Sequence, residues 1–215
     1  MTRKVGLAAV AALAAMMGVA QAGEGVRGKQ GGDIVVGLGA VGVLPGGGGH
    51  VDAIGGRPQA SDSASPQLDL TYFMVPNVAL NLIAASTRHD IGVRGSALGD
   101  LNLGHVWVLP PTLTLQLHPF PQSRISPYVG AGINVSFFYG EGGSRTAPVR
   151  RVVVDTAPGF AFNAGLDYEV SSHWLANIDV KKLILRPEAS VNSGLVHARV
   201  ELDPWVVGAS VRYRF

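Results

Sequence analysis

The 215-residue chain contains no cysteine, so a disulfide framework cannot be what holds it together. Beyond residue 22 it also lacks any stretch of some 18 consecutive apolar residues, which excludes a bundle of membrane-spanning helices. An excess of one charge is missing too. Removing residues 1–22, which carry Arg3 and Lys4 and no acid, leaves fifteen of the seventeen Lys and Arg against fifteen Asp and Glu. That balance gives no reason to expect nucleic acid as a partner. Yet the mean hydropathy is +0.26, high for a water-soluble domain. A transmembrane β-barrel reconciles these facts, because only every second residue of each strand faces lipid.

The N-terminus reads as an export signal. Arg3 and Lys4 precede an apolar, small-residue run from Val5 to Ala20, and Ala20-Gln21-Ala22 forms an A-x-A site. The run is short for a membrane span, so cleavage after Ala22 is expected, leaving residues 23–215 as a single domain.

Period-two alternation then recurs along the chain. In residues 67–75, Leu68, Leu70, Tyr72 and Met74 oppose Gln67, Asp69 and Thr71. After Pro76-Asn77, residues Val78, Leu80, Leu82 and Ala84 oppose Ala79, Asn81, Ile83 and Ala85, giving a tight hairpin. Leu113, Leu115 and Leu117 oppose Thr112, Thr114, Gln116 and His118, and Val129, Ala131, Ile133, Val135 and Phe137 oppose Gly130, Gly132, Asn134 and Ser136. Residues 160–169 and 174–185 behave alike, the latter with Ala176, Ile178 and Val180 against Asn177, Asp179 and Lys181. A first strand spans residues 33–44, and the last ends with Trp205, Val207, Ala209, Val211, Tyr213 and Phe215 against Val206, Gly208, Ser210, Arg212 and Arg214.

Eight strands of about barrel length emerge, predicting an all-β, antiparallel, up-and-down transmembrane barrel. The connections alternate: residues 45–66, 86–111, 139–157 and 186–194 are long, while 75–77, 119–126 and 171–173 are short. Short turns belong to the periplasmic end and long loops to the outside, which puts both termini in the periplasm. Tyr72, Tyr128, Phe137, Phe138, Tyr168, Trp174, Trp205 and Tyr213 lie near strand ends and are expected to form aromatic girdles. A soluble β-sandwich or lipocalin-like barrel is the competing fold. Membrane insertion is preferred because the polar face, rich in Asp and Asn, belongs inside.

Several segments resemble the OmpW family of small outer-membrane barrels. Pro127-Tyr128-Val129-Gly130-Ala131-Gly132-Ile133-Asn134 is similar to its fifth-strand signature, Leu109-Pro110-Pro111-Thr112-Leu113 to the start of its fourth strand, and Leu202-Asp203-Pro204-Trp205 to its eighth. The terminal Tyr213-Arg214-Phe215 resembles the signal read by the barrel-insertion machinery, with Phe215 as its last residue. The resemblance spans residues 33–215 and implies a bacterial outer-membrane location, a narrow lumen, and passage of small hydrophobic molecules, often with sideways release into lipid. Two departures stand out: the first long loop carries Gly46 to Gly49, and Pro158 occupies a place where an aromatic residue is expected before Gly159. No gate residue is carried over.

Other motifs have plainer explanations. Gly37-Leu38-Gly39-Ala40-Val41-Gly42 matches G-x-G-x-x-G, but Val43, Leu44, Pro45 and four glycines follow, where a nucleotide site needs a helix to begin. Glycines in a barrel strand ease bending and close packing. The six histidines, His50, His89, His105, His118, His173 and His197, show no ligand spacing, and His89-Asp90 has no companion motif. No nucleophile elbow marks an enzyme, and no cofactor or metal is implied. Arg145, Arg150 and Arg151, in the third long loop, with Arg88 and Arg94 in the second, are candidates for pairing with lipopolysaccharide phosphates, an ordinary solvated loop being the alternative.

An eight-stranded barrel is filled by its own side chains. Asp69, Asn81, Gln116, Asn163, Asp167, Asn177, Asp179, Lys181 and Arg212 are the lumen-lining candidates, expected to form a charge-paired plug. Pro110, Pro111 and Pro158 cannot donate ladder hydrogen bonds and are candidates for a lateral exit near the outer rim. The alternative is a barrel that transports nothing and acts through its outer loops.

Overall fold

The computed structural model describes the chain outside residues 1–24, 47, 52–54, 98, 143–151, 155, 186–187, 192–195 and 202. The expected signal peptide therefore lies outside the described residues, as do Arg145, Arg150 and Arg151.

The strands, in chain order, are β1 (Ile34–Leu44), β2 (Gly48–Val51), β3 (Arg57–Ala60), β4 (Ser63–Val75), β5 (Val78–Ala85), β6 (Thr87–Ser96), β7 (Gly99–Leu109), β8 (Thr112–Leu117), β9 (Ile125–Gly142), β10 (Val152–Val154), β11 (Ala157–Glu169), β12 (Trp174–Leu185), β13 (Glu188–Val191), β14 (Val196–Glu201) and β15 (Trp205–Arg214). Eight of them pair in the order β11-β12-β15-β1-β4-β5-β8-β9, and β9 pairs back onto β11, which closes the barrel. All of these pairings are antiparallel. Closure leaves no edge strand exposed to lipid.

Alternation decides which way each side chain points. On β4, Gln67, Asp69, Thr71 and Phe73 are buried while Leu68, Leu70, Tyr72 and Met74 are exposed. On β8, Thr112, Thr114 and Gln116 are buried and Leu113, Leu115 and Leu117 exposed. The exposed leucines, valines and isoleucines form the lipid-facing band, and polar side chains fill the inside. Trp174, Tyr213 and Phe215 pack edge to face at the short-turn end. Trp107 and Tyr139 stack at the other, with ring centroids 6.4 Å apart.

Two expectations need correction. Tyr128 is not a girdle residue: it is 2 % exposed and lies inside the barrel. It shares the inward parity of Gly130 and Gly132, and Gly165, whose Cβ would meet the Tyr128 ring, leaves room for it. The regions read as long loops are also largely β-structure. β6 and β7 form a hairpin that continues the wall beyond β5 and β8, with β3 on its far edge and β9 extending beside it. A separate four-stranded sheet, β10-β13-β14-β2, is made from the other outer segments.

Candidate functional site

The lower interior is a web of charges. Arg212, on β15, donates from Nη1 to Asp167 Oδ1 of β11 at 3.0 Å and from Nη2 to Asp69 of β4. Gly37 of β1 makes space for them, since a Cβ there would stand 2.9 Å from Arg212 Cγ and 3.1 Å from Asp69 Cγ. The glycine motif of β1 thus serves packing of the buried ion pair. Asn177 donates to Asp167 at 2.8 Å and to Tyr128 Oη at 3.0 Å, and that hydroxyl donates to Asp179 at 2.8 Å. Asp179 also accepts from Asn163 at 3.0 Å and pairs with Lys181. Asn81 donates to Thr71 at 2.9 Å. Buried charges survive only when paired in this way.

The segment before β1 closes this web from below. Arg214 donates to Gly28 O at 2.7 Å and to Glu169 Oε2 at 3.2 Å. Glu169 in turn accepts from the backbone N–H of Arg27 at 2.7 Å and of Gly28 at 3.2 Å. Lys29 reaches in to Asp167, 3.2 Å away. Burial lowers the pKa of this ammonium from the ordinary lysine value, against the attraction of Asp167. Residues 27–33 therefore lie across the periplasmic mouth as a stopper.

Above the web the inside turns apolar. Val41 and Val43 of β1, Ala161 of β11, Leu183 and Leu185 of β12 and Val206 of β15 form one buried cluster, and Ala85 of β5 packs against it. Ala85 stands where the wall is incomplete. The β5–β8 ladder ends at Ile83 and Thr112, and the β6–β7 ladder resumes in the same register at Thr87 and Val108. Between them, residues 84–86 face 109–111 with no ladder pair. Pro110 and Pro111 account for this, since neither has an N–H to donate.

Side chains tie the proline segment to β9 on the inside and bridge the break on the outside. Inside, Thr112 Oγ1 donates to Pro110 O at 3.0 Å, Asn134 Nδ2 donates to Pro111 O at 3.2 Å and to Thr112 Oγ1 at 2.9 Å, and Ser136 donates to Asn134 Oδ1 at 2.9 Å. Outside, the hydroxyls of Ser86 and Tyr139 share a hydrogen bond that bridges the gap.

All nine lumen candidates, Asp69, Asn81, Gln116, Asn163, Asp167, Asn177, Asp179, Lys181 and Arg212, are buried inside the barrel, at most 6 % exposed. Gln116 stands apart, its amide without a hydrogen-bond partner among the described residues. Pro110 and Pro111 sit at the break. Pro158 lies across β9 from them, opposite Val135, in a β9–β11 ladder that runs unbroken from Ala157 to Tyr168. Phe215 is exposed at the short-turn end. Sequence reading missed Lys29, Glu169, Arg214 and the Ser86–Tyr139 bridge. Arg214 and Glu169 carry a signal, their parity with Arg212 and Asp167.

Comparison with known proteins fits this geometry. The model of the OmpW family matches residues 30–215. The chain belongs to the OmpW family. Outer membrane protein W of Escherichia coli (strain K12) is 33% identical over 222 residues, covering 99% of this chain and 100% of that protein. The dibenzothiophene metabolism operon protein PahQ of Pseudomonas aeruginosa is 28% identical over 163 residues, 75% of this chain and 76% of that protein. Among solved structures, the outer membrane protein OprG from Pseudomonas aeruginosa superposes with a TM-score of 0.82 at 27% identity, covering 88% of this chain and 99% of OprG. This OmpW-family barrel is accordingly a protein of the bacterial outer membrane.

Proposed function

We propose that this OmpW-family barrel passes small hydrophobic molecules from the outside into the membrane, releasing them sideways through the wall at residues 84–86 and 109–111. The observation that carries the reading is the contact of the apolar cluster with Ala85, inside the one stretch of the β5–β8 wall where the ladder stops. Below that level the charge web and the stopper of residues 27–33 block a straight path to the periplasm. An apolar molecule in the upper barrel therefore meets a high desolvation barrier downward and lipid sideways. The name of PahQ ties that relative to the metabolism of an apolar aromatic compound, which supports a permeant of the same class. The path is one of passage, and no side chain in it is assigned a chemical step.

The test compares uptake of a labelled small hydrophobic compound by cells lacking the gene, complemented with this barrel or with an unrelated eight-stranded barrel at matched outer-membrane abundance. Faster uptake with this barrel alone is expected. Equal uptake rejects passage for that class of compound and leaves a role for the outer strands in surface interaction.

A further inference from the structure

The outer hairpin presents a second, unrelated surface. On the face of β3–β6–β7 turned away from the barrel axis, Gln59, Gly92 and Asn102 form one cross-strand row, and Arg57 stands directly opposite Arg94 in the next. Val93 and Leu101 are buried on the opposite face, which fixes the direction in which the polar row looks. Gly92 at the centre has no side chain, and a Cβ there would stand 2.8 Å from Leu101 O, so only glycine fits the row. The cleft around it holds about 420 Å³ and is lined by Gln59, Ser61, Asp90, Arg94, Asp100 and Asn102, while Arg57 stands just outside that lining, opposite Arg94.

The charges in this cleft are incompletely matched. Asp90 pairs with Arg88 at 3.3 Å, and Asp100 accepts the Gly95 N–H at 2.9 Å. Arg57 and Arg94 have no ion-pair partner among the described residues. Like charges placed directly opposite on an antiparallel pair repel. An anion between them would turn that repulsion into attraction, and two guanidinium forks suit the tetrahedral oxygens of a phosphate. The amide of Gln59 and the carboxylates of Asp90 and Asp100 supply donors and acceptors of the kind that sugar hydroxyls use.

Height above the membrane identifies the source of such a ligand. Trp107 and Tyr139 mark the outer aromatic girdle, and Arg88 is level with Trp107. Gly92 and Arg94 lie further along β6, roughly 13–20 Å of strand beyond Arg88 at about 3.3 Å per residue, which a strand tilt of about 35–45° reduces to a height of roughly 9–16 Å. An outward-facing cleft at that height stands among the phosphorylated sugars of the outer leaflet. We infer that the cleft around Gly92 binds a phosphorylated core sugar of a neighbouring lipopolysaccharide molecule, with Arg57 and Arg94 on its phosphate.

The experiment uses the full mature chain folded in detergent micelles, with folding of every variant checked by its heat-dependent mobility in gels. Binding is measured for rough lipopolysaccharide with a phosphorylated inner core, for the same material dephosphorylated, and for inorganic phosphate. Arg57→Ala with Arg94→Ala is expected to weaken binding of the phosphorylated lipid at least about tenfold and to leave the dephosphorylated lipid unchanged. Arg94→Lys, which keeps the charge and loses the fork, is expected to weaken it a few-fold and safeguards the test if the double variant misfolds. Unchanged binding of the phosphorylated lipid by these variants overturns the inference. So does an equal loss with the dephosphorylated lipid, and inorganic phosphate binding as tightly as the lipid overturns the lipopolysaccharide source.

Discussion

The lower and upper halves of this barrel are built from the same eight strands, yet different forces close them. Below, Asp69, Asp167, Asp179, Lys181 and Arg212 fill the space with directed, paired charges. Above, Val41, Val43, Leu183, Leu185 and Val206 fill it with undirected apolar contacts, and one stretch of wall lacks its ladder. A charge web cannot part for a guest without leaving ions unpaired, whereas an apolar cluster exchanges one apolar neighbour for another at little cost. The difference assigns sealing to the lower half and passage to the upper.

Breaking the lower half is expected to have the largest effect. Arg212→Met removes the shared partner of Asp69 and Asp167 and should cost about 3–5 kcal/mol. Urea unfolding in micelles should show it as a lowered midpoint, and Asp69→Asn together with Asp167→Asn in that background should recover part of the loss. In the upper half, Leu183→Ala opens a cavity and should cost about 2–3 kcal/mol, with no rescue from removing a charge. Gly165→Ala tests the packing of the lower web: its Cβ would meet the Tyr128 hydroxyl and displace it from Asp179 and Asn177. A cost of about 1–3 kcal/mol is expected, read as a lowered midpoint of urea unfolding in micelles. The smallest change in stability, within about 1 kcal/mol, belongs to Tyr139→Phe, which removes the hydrogen bond to Ser86. Its signature is functional, since loosening the bridge over the gap should raise uptake of the hydrophobic probe.

Most of this architecture was legible from alternation, because a closed barrel sends every second residue inward. Asp69, Asn177 and Arg212 could be assigned to the inside before their partners were known. The stopper was not legible: residues 27–33 have no period, and Gly28 meets Glu169 and Arg214 through contacts 141 and 186 residues away in sequence. The outer hairpin was missed because Gly92, Gly95 and Gly99 interrupt the alternation that marks a strand, and only pairing with β3 and β9 shows it. Tyr128 was misplaced because proximity to a strand end was weighed above parity. Pro110 and Pro111 announce a broken ladder, but nothing in the pattern announces that Asn134 of the next strand, β9, donates to Pro111 O and Thr112 Oγ1.

The most direct test of lateral passage is a disulfide across the gap. With no native cysteine, Ala85→Cys with Pro110→Cys gives one protein whose wall is closed by oxidation and reopened by a reductant. Hydrophobic uptake that falls on oxidation and returns on reduction is the predicted result. Equal uptake in the oxidised and reduced forms, with the disulfide shown to have formed, would contradict it.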